Sequence, residues 1–68
     1  MSDALMIQAI ARLVPQGARV LDLGCGDGRM LDRMNEQCNE SFGVEFNRRL
    51  ATRAAQRGLR VSHFDLNE

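Results

Sequence analysis

The run Val20-Leu21-Asp22-Leu23-Gly24-Cys25-Gly26-Asp27-Gly28 constrains this chain more than any other stretch. A short apolar segment gives way to three glycines in five positions, the pattern of a β-strand that ends in a tight loop and feeds a helix. Glycine adopts backbone that other residues resist and carries no Cβ, so main chain in such a loop can approach a ligand closely. The helix that follows offers its positive end to the same place. The plainer alternative is a tight strand-to-helix turn that binds nothing.

The remainder of the 68 residues repeats the strand and helix alternation. Ser2 is placed to cap a first helix, with Met6, Ile10, Leu13 and Val14 as its apolar stripe and Pro15 and Gly17 as its stop. Arg19 to Leu23 reads as a strand buried on both faces of a parallel sheet. From about Gly28 to Glu36, Met30, Leu31 and Met34 recur at helical spacing, leaving Arg29, Asp32 and Arg33 to solvent. Gln37 to Glu40 forms a turn, and Ser41 to Glu45 a second strand ending in an acid. Asn47 suits an N-cap for a helix that buries Leu50, Ala51, Ala54 and Ala55 and stops at Gly58. Val61 to Asp65 is a third strand, again ending in an acid. This αβαβαβ order predicts a three-stranded parallel sheet, whose ligands bind beyond the carboxyl ends of the strands. Gly24 to Gly28, Glu45 and Asp65 all lie there.

Composition narrows the partners. Nine basic residues, all arginine, balance nine acidic ones, so no net field draws the chain to nucleic acid or an anionic membrane, and scattered arginines read as a solvated face. Cys25 and Cys38 are too few and too distant for a disulfide framework or a metal knuckle. No signal peptide or membrane-length apolar run is present, and a cytoplasmic location is the default expectation.

Spacing separates the ligand families that use glycine loops. A dinucleotide fingerprint places its third glycine where this chain has Arg29, and a mononucleotide P-loop needs a lysine that the chain lacks. Glu45 follows Gly24 at the distance of an acid that receives ribose hydroxyls, a feature shared by several adenosine cofactors.

The arrangement Asp22-Leu23-Gly24-Cys25-Gly26-Asp27-Gly28 after a hydrophobic strand resembles motif I of the class I S-adenosylmethionine-dependent methyltransferases. Phe42-Gly43-Val44-Glu45, Arg57-Gly58-Leu59 and Phe64-Asp65-Leu66 narrow the resemblance to the MetW group, linked to methionine biosynthesis, although Asn47 stands where that group usually has an acid. The resemblance covers about Arg19 to Leu66 and implies the N-terminal half of a Rossmann-like methyltransferase fold. It implies that Gly24, Cys25, Gly26 and Gly28 pass close to the methionine part of S-adenosylmethionine. Asp22 would help hold the loop and the methionine ammonium, directly or through water, Glu45 would hold the ribose and Asp65 the adenine amino group, with Phe46 and Leu66 sandwiching the ring.

No catalytic residue and no metal site is expected. Cys25 reads as a small loop residue, His63 as a packed or edge residue and the Met30/Met34 pair as core filling. The sequence stops after the first of the two halves of such a fold, so the reading is one partial domain, residues 1–68, with the acceptor half missing. Self-association through the open sheet edge or a partner enzyme is then expected. A non-catalytic cofactor-binding or regulatory module is the rival function, and a nicotinamide-binding Rossmann fragment is a further one.

Overall fold

A computed structural model describes residues 3–37 and 39–65. The elements run α1 (Asp3–Leu13), β1 (Arg19–Leu23), α2 (Arg29–Glu36), β2 (Glu40–Glu45), α3 (Arg48–Gln56) and β3 (Val61–His63). The three strands form one parallel sheet in the order β1-β2-β3, as the alternation predicts. Leu21 stands opposite Phe42 and Asp22 opposite Gly43, while Glu45 stands opposite His63. No helix among the described residues is long and apolar enough to cross a membrane.

The local signals explain where elements start and stop. Asn47 caps α3 by accepting the N–H of Leu50 at 3.2 Å. Gly58, at φ 82°, takes the left-handed position just past that helix. β3 is shorter than expected, because it lies at the sheet edge and leaves the ladder after His63, where the N–H of Phe64 donates to the Glu45 carbonyl at 3.0 Å.

Two-sided burial does not hold for β1. Leu21 and Leu23 are 61% and 69% exposed, and Phe42 beside them is 42% exposed. Successive crossovers that step the same way across a sheet put their helices on one face. That face carries Ser41, Gly43 and Glu45, all buried, and the opposite face has no layer over it among the described residues.

Leu31 and Met34 of α2 are fully buried, and Cys25, Ala54 and Leu59 close round Leu31. The fit is tight at Gly43, where a Cβ would stand 2.6 Å from the Cys25 sulfur and 2.7 Å from Leu31 Cδ1. Glycine is required there for space, since its φ is ordinary.

The stripe expected on α1 is also corrected. Met6, Ile10 and Leu13 are exposed, whereas Ala11 is buried and Ile7 and Val14 are half-buried. Among the described residues α1 packs only on α2, so a narrow row suffices and the rest of its apolar face stays open. The expected polar turn ties this corner down. Gln37 Nε2 donates to the carbonyls of Ala11 and Val14, each at 3.3 Å, and buried Asn39 donates to those of Pro15 and Ala18 at 2.9 and 2.8 Å. Cys38 and the proposed cap Ser2 lie outside the described residues.

Gly43→Ala should lower stability by about 1–3 kcal/mol through overpacking against Cys25 and Leu31, read as a fall in the thermal midpoint. An unchanged midpoint would show that this contact yields at little cost.

Candidate functional site

Gly24, Gly26 and Gly28 all take positive φ, at 76°, 60° and 98°, so the loop after β1 turns three times through backbone that favours glycine. Four of its amides donate to protein acceptors. The N–H groups of Gly24 and Cys25 donate to the Val44 carbonyl at 2.7 and 3.1 Å, and that of Gly28 donates to the Cys25 carbonyl at 3.1 Å. The Gly26 N–H donates to Glu45 Oε1 at 2.8 Å.

Glu45 is therefore not a solvated strand end. It is 7% exposed, and its second oxygen accepts the Asn47 N–H at 2.6 Å. One carboxylate thus clips the loop after β1 to the loop after β2. The Asn47 N–H, with that of Gly26, holds the Glu45 carboxyl below its ordinary value against the opposing effect of burial.

Asp22 has the opposite character. No described residue donates a hydrogen bond to its carboxylate, and burial, then the charge of Glu45, raises its pKa. The direct hydrogen bonds that hold the loop come from Glu45 and the Val44 carbonyl. Cys25 is a buried free thiol whose pKa is pushed up by burial, then by Asp22 and Glu45, so it stays protonated and unreactive at neutral pH.

A cavity of about 490 Å³ opens in front of the loop. Asp22, Gly24, Cys25 and Gly26 line it, together with Asp27 and Arg29, an ion pair at 3.9 Å. Its apolar walls are Met6, Ile7 and Ile10 of α1, Met30 of α2 and Leu50 of α3.

The remaining candidates stand elsewhere. Gly28 is buried under Leu59 and Ala54, where it permits close packing at the start of α2. Phe46 packs edge-to-face on Phe64, with centroids 6.1 Å apart and planes at 87°. Asp65 is half-buried beyond the end of β3, and Leu66 lies outside the described residues. The α1 wall, Leu50 and the cavity position of Met30 escaped the sequence reading, which placed Met30 in the core. Their signal was an apolar surplus on α1 that one helix contact does not absorb. No cluster of three or more metal-ligating side chains occurs among the described residues.

Removing the clip has a calculable sign. A carboxylate whose folded pKa is lowered stabilises the fold above its ordinary value of about 4.5 and loses that contribution as pH falls through the folded value. Glu45→Gln should cost about 1–3 kcal/mol at neutral pH and flatten the loss of stability below pH 4.5, measured by denaturant melts across pH. A variant as acid-sensitive as the parent would place the sensitivity elsewhere.

Comparison with known proteins agrees with this geometry. The family model described as methionine biosynthesis protein MetW matches residues 4–68. The bifunctional methionine biosynthesis protein MetXA/MetW of Rhodopirellula baltica is 32% identical over 88% of this chain, which spans 11% of that protein. A TehB-like S-adenosylmethionine-dependent methyltransferase from Corynebacterium glutamicum superposes with a TM-score of 0.75 at 31% identity, over 88% of this chain and 34% of its own. A methyltransferase of the same cofactor class from Geobacter sulfurreducens, solved with S-adenosyl-L-homocysteine, gives 0.66 at 26% identity, over 96% and 29%. The chain thus spans about a third or less of the length of these proteins. Its glycine loop, parallel sheet and near-complete family match show that the chain belongs to the MetW family of methyltransferase-like proteins.

Proposed function

We propose that the chain is the S-adenosylmethionine-binding part of a methyltransferase, and that the cavity before Asp22 receives the methionine end. The carrying observation is the polarity of the site. The loop amides at Gly24, Cys25, Gly26 and Gly28 are committed to protein acceptors, while a half-buried carboxylate without a donor among the described residues faces the cavity. A pyrophosphate needs N–H donors at this place, whereas an ammonium needs an acceptor such as Asp22. That polarity favours an amino-acid end over a dinucleotide.

S-adenosylmethionine supplies a methyl group activated on a sulfonium. In this reading Asp22 takes its ammonium, Gly24 to Gly26 let its methionine part lie against main chain, and the α1 wall excludes water. Glu45 retains lone pairs beyond the two engaged by Gly26 and Asn47, and these suit ribose hydroxyls. Asp65, Phe46 and Leu66 are assigned to the adenine. The methyl acceptor is assigned to chain outside this partial domain, and the family description supports a place in methionine biosynthesis.

A second reading has the bound molecule serving a partner enzyme. The Rhodopirellula baltica relative is named for MetXA and MetW together, so that protein joins the two in one polypeptide. The sheet supplies a surface for such a partner or for another copy, since β1 pairs on one side only and Leu21, Leu23 and Phe42 are exposed next to that edge. The buried thiol of Cys25 fits a reducing cytoplasm.

Calorimetry with S-adenosylmethionine, S-adenosylhomocysteine and NAD tests the ligand. The first two should bind and Asp22→Asn should weaken both about tenfold to a hundredfold, the value of a hydrogen bond between charged groups. The same variant should melt higher, because a raised carboxylate pKa means that the ionised form opposes folding at neutral pH. Tighter binding of NAD would overturn the assignment. For the sheet edge, size-exclusion chromatography should show the isolated chain self-associating, and a monomer with a high, cooperative melt would refute that.

A further inference from the structure

Five arginines sit in ion pairs: Arg19 and Arg60 with Glu40, Arg29 with Asp27, Arg33 with Glu36 and Arg57 with Asp32. Arg48, Arg49 and Arg53 of α3 differ, for none has an ion pair or hydrogen bond among the described residues, and all are exposed. The placement of Arg48 and Arg49 opposes the helix that carries them, while Arg53 lies in its last turn, where the dipole favours a cation. Arg48 and Arg49 stand in its first turn, where the helix dipole is positive and no acid offsets them. Arg49 and Arg53 are a like-charge pair at i,i+4, as are Arg53 and Arg57.

An arrangement that works against its own element calls for a compensating use. Arg48, Arg49 and Arg53 line an open groove of about 560 Å³ with Thr52 and Gln56, and none of these five residues borders the Asp22 cavity. We propose that this outer face of α3 is a docking surface for an acidic helix of a partner protein.

Charge complementarity and spacing select that occupant. Arg49 and Arg53 are separated by one helical turn, about 6 Å along the axis, which matches carboxylates at i,i+4 on a second helix. Guanidinium forks hold carboxylates in bidentate pairs, and Thr52 and Gln56 between them offer neutral hydrogen bonds. RNA fits less well. Single-stranded RNA is held by stacking on aromatic rings, of which this face has none.

The test uses the whole chain and three fluorescent probes: a helical peptide with glutamate at every i,i+4 position of one face, its glutamine counterpart, and a single-stranded RNA of equal charge. The glutamate peptide should bind in low salt, less tightly in physiological salt, and at least about tenfold more tightly than the other two. Combining Arg49→Gln with Arg53→Gln should weaken it at least about tenfold while the melting midpoint stays or rises, since like charges are removed. Thr52→Glu, which adds a carboxylate mid-groove, should also abolish binding. Arg12→Gln with Arg19→Gln removes the same charge elsewhere and should leave binding unchanged. No binding of the glutamate peptide, equal or tighter binding of RNA, or an equal loss in the Arg12/Arg19 pair would each overturn the proposal. Calorimetry with S-adenosylmethionine on the Arg49/Arg53 variant keeps this result separate from the cofactor reading.

Discussion

A buried carboxylate that accepts one main-chain N–H on each oxygen holds this structure in register. Glu45 ends β2, and by taking the N–H groups of Gly26 and Asn47 it fixes the two loops that border the candidate site. Charge-assisted bonds of this kind are short and strong, and burial makes their loss expensive. Two positions earlier on the same strand face, Gly43 leaves room for Cys25 and Leu31. The loop can therefore lie flat against the end of β2, with Gly24 and Cys25 both donating to Val44. Because Glu45 does this work, Asp22 faces the cavity without a hydrogen-bond donor among the described residues.

The second organising constraint is handedness. Strands added in chain order through crossovers of one hand place every following helix on the same side of the sheet. The result is a one-sided layer in which α2 and α3 cover β2 and β3, while Leu21, Leu23 and Phe42 remain open. The solved relatives superpose on this chain over about a third of their own length. Apolar residues thus stand on both faces of β1, and among the described residues only one of those faces is covered.

The site joins groups of different legibility. Motif spacing singled out Asp22, Gly24 and Gly26, and the cavity contains all three. Gly28 matched the same spacing, yet it faces Leu59 and Ala54, because one glycine pattern serves both ligand approach and helix packing. Met6, Ile7 and Ile10 stayed unread, since an amphipathic helix does not state what its apolar face will meet. Gln37 and Asn39 looked like turn residues, and their long-range bonds to the end of α1 and the segment after it appear only once those carbonyls are placed.

The amino-acid order alone therefore established what depends on neighbours in the chain. It specified the glycine turns, the Asn47 cap, the Gly58 stop, the αβαβαβ alternation and the parallel sheet, because backbone conformation and apolar period act over a few residues. Folding settled what depends on distant ones. Which acid clips the loop, which face of β1 is covered and which face of α3 stays exposed all follow from contacts made across the sheet. In the loop after β1, sequence placed the glycines, and tertiary contact with Glu45 and Val44 turned the amides of Gly24 and Gly26 inward. The physical reason is that a carboxylate takes its role from the donors around it, and those donors are assembled only when separate segments meet.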